Sequence, residues 1–203
     1  MSNLYKNIDV TKFRNEPVFL LEKFNLLKIP VDLTELAKFL KIDQVNYKNC
    51  ENNLNGKIEY KAQEKEVSIY INEDEPKTRQ RFTFAHEIAH FIYDIDFQTD
   101  KDMLREDAKT LFRKNMFNPI ERRADKFAEQ LLMPKELFEI EVFKVKDKLF
   151  PTLGTDLGVY KIYQISSELS NLFEVSKPAV FFRLHSIGII KESMRKELFE
   201  YHK

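Results

Sequence analysis

Residues Arg81–Asp94 read RFTFAHEIAHFIYD. Two of the chain's four histidines stand here, four residues apart, with Glu87 directly after the first. On a helix turning about 100° per residue, Phe82, Phe84, Ala85, Ile88, Ala89, Phe91 and Ile92 fall on one broad apolar arc. His86, Glu87 and His90 share the remaining arc beside Thr83. Side chains at i and i+4 have Cβ atoms roughly 5–6 Å apart, so two imidazoles at this spacing can meet on one ion at about 2.0–2.1 Å. Glu87 sits next to them, toward the position of a water activated by the metal. This is the His-Glu-x-x-His arrangement of zinc hydrolases. The competing reading buries two histidines and a glutamate in a core, where each needs its own hydrogen-bond partner.

A catalytic zinc needs a third protein ligand and one open position. Cys50 could serve in principle, but it lies in the polar stretch YKNCENN. The better candidate is Glu121, on the helical segment IERRADKFAEQLLMP. Glu121 and Asp125 share a face one turn apart, with Ala128 next along it, while Phe127 and Leu131 face a core. Glu121 would bind the metal. Asp125 would accept the remaining N–H of a ligand histidine and fix its tautomer. The alternative is a solvated acidic face paired with Arg122 and Arg123.

Composition frames these motifs. The chain has 203 residues, 43% hydrophobic and 33% charged, enough for one sizeable domain or a domain with an appendage. Lys+Arg and Asp+Glu are both 33, and this balance disfavours a generally basic nucleic-acid binder. A single cysteine excludes an internal disulfide and a Cys-rich structural zinc site. The opening MSNLYKNIDVTKFRNEP has no apolar core of signal-peptide length, and no run approaches the roughly 18 apolar residues of a membrane span. A cytoplasmic protein with no membrane partner is the expectation.

Apolar spacing predicts helices over 16–28 and 31–42, the second with Asp32 as N-cap. QVNYKN, GKIEYKA and EVSIYINED predict about three strands in a small sheet; the last alternates Val67, Ile69 and Ile71 against Ser68, Tyr70 and Asn72. A long helix should run from near Pro76 to about Tyr93. The charged stretch 100–115 reads as a weakly helical surface excursion. Helices follow over 119–134 and 135–150, a hinge at PTLG (151–154), then helices at 156–173 and 177–187, with Ser176 as N-cap, and a charged terminal helix. The fold class is α+β and mostly helical. Residues 1–150 would form the catalytic domain, and 151–203 a helix-turn-helix-like region packed on it.

RFTFAHEIAH followed by ERRADKFAEQLLMP resembles the ImmA/IrrE metallo-endopeptidases, a gluzincin-like group. The second helix fits the group's Glu-x-x-Ala-Asn/Asp-x-Phe-Ala-x-x-Leu-Leu-Met-Pro pattern. VSIYINED and LSNLFEVSKPAVFFRLHSIGII are also similar to family segments. The resemblance spans about residues 30–190. It implies zinc, with manganese also compatible, held by His86, His90 and Glu121, with Glu87 as catalytic base. Asp125 stands where Asn is common, at the Glu-x-x-x-Asp spacing of other gluzincins. The known members cleave helix-turn-helix repressors that control mobile elements or stress responses, so a repressor is the implied substrate.

Further expectations concern the reaction's surroundings. His185, Tyr160 and Tyr163 are candidate donors to the transition state. The strand holding Ser68, Tyr70 and Asn72 could offer an edge to an extended substrate. A metal-containing regulatory protein that binds a repressor or DNA through the C-terminal helices, without proteolysis, is the alternative. From Lys161 to Lys203 there are seven Lys/Arg and five Asp/Glu, and Lys177 and Arg183 do not make a basic stripe. That disfavours direct DNA binding.

Overall fold

The structure, a computed structural model, describes residues 4–14, 16–50, 54–99, 101–108, 118–151 and 157–202. Backbone contacts divide the chain into two units, Met1–Leu131 and Leu132–Lys203. None of the helices among the described residues is long and apolar enough to cross a membrane.

The first unit opens with a two-stranded ribbon, β1 (Leu4–Tyr5) and β2 (Ile8–Asp9), and a 3-10 turn over Val10–Phe13. None of these was expected from the sequence. Helix α1 (Pro17–Lys23) is shorter than predicted because Asn25 takes a left-handed φ of 55°, and Leu26 N–H donates back to the Leu21 carbonyl at 2.7 Å. That reversed bond closes the helix end. Helix α2 (Leu33–Phe39) starts as predicted: the Asp32 carboxylate accepts from Glu35 N–H at 2.9 Å.

The main sheet contains β3 (Gln44–Lys48), β4 (Leu54–Lys61), β5 (Glu66–Asn72) and β6 (Met103–Ala108), in the order β3-β5-β4-β6. β3 runs parallel to β5; the β5–β4 and β4–β6 pairs are antiparallel. β6 corrects the helical reading of 100–115 where that stretch is described; 100 and 109–115 lie outside the described residues. Backbone pairing to β4 makes 103–108 a fourth strand, and such pairing leaves no side-chain signature. Ile58, Tyr60, Val67, Ile69 and Ile71 are buried, and α3 (Lys77–Tyr93) lies across β4 and β5.

A second correction concerns β5. It is paired along both edges, to β3 through Ser68–Asn72 and to β4 through Glu66–Ile71. Its backbone therefore has no free edge for an extended substrate. Ser68 and Asn72 are buried, and Asn72 Nδ2 donates to the Leu54 carbonyl at 2.9 Å. Tyr70 is flanked by the ammonium groups of Lys48 and Lys57 at 4.2 and 4.9 Å from its ring centre. Gln80 completes the launch of α3, donating to the Glu73 and Glu75 carbonyls at 2.9 and 2.6 Å. α4 (Pro119–Leu132) follows in sequence.

In the second unit, α5 (Lys135–Leu149), α6 (Val159–Phe173), α7 (Lys177–Ser186) and α8 (Glu192–His202) pack as a helical group. The sequence set a boundary at 150/151, but α5 joins the C-terminal helices, and Phe138 meets Phe173 at 5.2 Å between ring centres. Of the hinge reading at 151–154, residues 152–154 lie outside the described residues. The α6–α7 turn carries Glu174 at φ 54°, and Ser176 caps α7 by accepting from Ala179 N–H at 3.3 Å.

Candidate metal centre

α3 is buried along most of its length, which fits its broad apolar arc. His86 and His90 are 2% exposed and Glu87 is fully buried. Their Nε2 atoms lie 2.9 Å apart. α4 brings Glu121 Oε2 to 3.1 Å from His86 Nε2 and 3.5 Å from His90 Nε2. Three ligands at about 2.0–2.1 Å around a tetrahedral ion stand roughly 3.3 Å apart, and the observed triangle brackets that edge.

The far side of each imidazole decides what those three atoms offer. His86 Nδ1 donates to Asp125 Oδ1 at 3.0 Å, and His90 Nδ1 donates to Asp94 Oδ2 at 2.5 Å. Ionised carboxylates only accept, so each Nδ1 carries the proton. In the neutral ring, Nε2 then presents a lone pair. Two such lone pairs and one carboxylate oxygen converge, a set that repels itself unless a cation or protons occupy the centre. The donor set fits a metal ion.

Without a metal, protons answer the same demand. Burial opposes charge on His86, but Asp125 and Glu121 outweigh it and raise its pKa well above the ordinary value. Burial likewise opposes charge on His90, yet Asp94 and Glu121 lift it to about 9. Burial would raise Glu121, but bonds to both histidines hold it far below the ordinary carboxylate range.

β4 closes over this face of α3. A Cβ built on Gly56 would stand 2.5 Å from Thr83 Cγ2, 2.8 Å from the Tyr70 carbonyl oxygen and 3.3 Å from Glu87 Oε1. Gly56 thus lets the strand backbone approach the Glu87 carboxylate.

A family model described as Peptidase_M78, IrrE N-terminal-like domain, matches residues 44–185. The chain belongs to this metallopeptidase family. No curated protein matches the chain. The matched span of this family member covers β3 through nearly all of α7, and so contains every residue of the histidine cluster.

The structure brings His86, His90, Glu121 and Asp125 together. Two members of the cluster's surroundings were missed. Asp94 lies one turn beyond His90 on the same face, an i,i+4 relation visible in the opening stretch. Gly56, one of four glycines, stands inside a strand, where a glycine marks close backbone approach. Cys50 is absent from the cluster.

The three candidate donors belong to the second unit, and their described partners do too. Tyr160 accepts from Gln164 at 2.6 Å, Tyr163 OH lies 3.2 Å from both His202 Nδ1 and Lys177 Nζ, and His185 Nε2 lies 3.4 Å from Glu192. Arg183 is 4% exposed and Lys177 sits 4.7 Å from the Tyr163 ring centre.

Proposed function

We propose that this metallopeptidase is a zinc-dependent endopeptidase whose substrate is a helix-turn-helix transcriptional repressor. The observation that carries the chemistry is the convergence of His86 Nε2, His90 Nε2 and Glu121 Oε2, with both Nδ1 atoms committed to carboxylates. The repressor is carried over from the resemblance to the ImmA/IrrE group. Zinc is favoured by two imidazoles and one carboxylate, the His₂Glu set of zinc peptidases; manganese fits imidazole–carboxylate sites less tightly.

A zinc ion held there would supply Lewis acidity to the scissile carbonyl and to the attacking water. Asp125 and Asp94 hold the two rings in the Nδ1–H tautomer, so that each presents Nε2 inward. Glu87 takes the proton from the attacking water and returns it to the leaving amine. Its burial under β4 keeps the carboxylate in a low-dielectric setting that strengthens this exchange.

The test is incubation of the purified protein with a helix-turn-helix repressor, with zinc and with a chelator. Chelator-sensitive cleavage that returns with zinc is the expected result. Zinc binding with a repressor bound intact would replace this reading with the non-proteolytic one, in which the protein only sequesters its partner.

A further inference from the structure

Of the four ring nitrogens in the histidine pair, α4 reaches three directly. Glu121 faces both Nε2 atoms and Asp125 holds Nδ1 of His86. The fourth, Nδ1 of His90, is held from α3 by Asp94 Oδ2. The other oxygen of that carboxylate, Oδ1, accepts from the Arg123 guanidinium of α4. α4 therefore touches the fourth nitrogen as well, through one intermediary.

The setting of Asp94 separates this pair from an ordinary surface ion pair. Its side chain is 6% exposed, whereas that of Arg123 is 42% exposed. A carboxylate so far from water needs a compensating charge, and Arg123 supplies it. Arg123 is itself steadied, with its guanidinium carbon 4.3 Å from the centre of the Tyr93 ring. The Tyr93 hydroxyl donates to the Arg14 carbonyl, and Arg14 donates to the carbonyls of Ile92 and Tyr93 at 3.1 and 3.3 Å. The C-terminal end of α3, which Asp94 caps, is thus fixed from two directions.

We propose that Asp94 and Arg123 form a positioning pair for the metal centre: Asp94 fixes the tautomer and direction of the His90 ring, and Arg123 fixes Asp94. The inference rests on the metal-binding reading of the cluster. With Arg123 on one carboxylate oxygen, the other stays aimed at Nδ1. Without it, the carboxylate can turn, and His90 loses the partner that directs its Nε2 inward.

Zinc affinity measured by competition with a chromophoric chelator tests this, on wild type, Asp94→Asn, Arg123→Gln, the double variant and Glu121→Ala. Asp94→Asn is expected to weaken zinc binding about 10- to 100-fold, the usual cost of losing an outer partner of a ligand histidine. Arg123→Gln should weaken it less. The double variant should bind no more weakly than Asp94→Asn, because Arg123 acts through Asp94. Arg123→Lys, which keeps a cation, should recover part of the loss. Melting of the zinc-free proteins is read in parallel. Lower melting with unchanged zinc affinity would mark a purely structural ion pair and overturn the proposal, as would losses that add in the double variant. If Glu121→Ala loses zinc while Asp94→Asn and Arg123→Gln bind like wild type, this inference alone falls. If wild type and Glu121→Ala bind zinc alike, the metal reading falls and takes it along.

Discussion

His86 and His90 point their Nε2 atoms at each other across 2.9 Å while each turns its Nδ1 to a different aspartate. The arrangement is tolerable only with positive charge between or on the rings, and metal and protons compete for that role. His90 has its pKa raised to about 9 because Asp94 and Glu121 outweigh burial, and His86 is raised in the same way. A histidine whose folded pKa lies above its unfolded value of about 6.5 stabilises the fold fully below that value. The contribution is lost as pH rises through the folded pKa. The zinc-free protein should therefore lose stability between about pH 6.5 and 9. Zinc must displace those protons, so its apparent affinity should climb over the same window, by up to about tenfold per pH unit for each proton released. Thermal melting with chelator and with zinc, from pH 6.5 to 8.5, should show curves that diverge as pH rises. A zinc-induced increment that shrinks with pH would contradict the proton competition.

Glu121 is the proposed ligand that comes from α4 rather than α3, so its loss should be felt most in metal binding. Glu121→Gln keeps the volume and removes the charge facing both Nε2 atoms. Zinc affinity should fall by more than the roughly 10- to 100-fold expected for an outer partner. Metal content after dialysis, with competition titration, measures it. Metal content and affinity like wild type would remove Glu121 from the site.

These residues were legible in the sequence because helix periodicity is rigid. His86 and His90 at i,i+4, and Glu121 and Asp125 at i,i+4, must each share a face. Asp94 obeys the same rule with His90, yet an acid one residue past a helix end cannot be told from a solvated cap until its partner is seen. Arg123 likewise read as a surface cation. The sheet was less legible. Strand order is a matter of which backbone meets which, so nothing in Ser68, Tyr70 and Asn72 announced that β5 lies between β3 and β4. The segment MLREDA of β6 has no clean alternation to mark it as a strand.

Glu87 stands one residue after His86 and shares its polar face, but the role proposed for it is to move a proton rather than to bind metal. Glu87→Gln keeps shape and packing and removes the basic oxygen. Cleavage should drop by about 10²- to 10⁴-fold, the range expected for loss of a general base, while zinc content stays as in wild type. Cleavage kinetics on a repressor, read beside metal analysis, separates the two effects. A variant that cleaves as well as wild type would end the proposed mechanism.

Gly56 offers a way to disturb Glu87 from the strand side without substituting His86, His90 or Glu121. The added methyl of Gly56→Ala would meet Thr83 Cγ2 at 2.5 Å and the Tyr70 carbonyl oxygen at 2.8 Å. Thr83 is 1% exposed, and the Tyr70 carbonyl belongs to the backbone of a strand paired on both sides, so neither neighbour can swing away. β4 and α3 must separate instead. Overpacking of this kind costs about 1–3 kcal/mol, and the melting temperature should fall accordingly. The methyl would also stand 3.3 Å from Glu87 Oε1, so the displacement reaches the base while His86, His90 and Glu121 keep their mutual geometry. The expected signature is a lower kcat with zinc affinity close to wild type. If zinc affinity falls as steeply as kcat, β4 supports the whole cluster rather than Glu87 in particular.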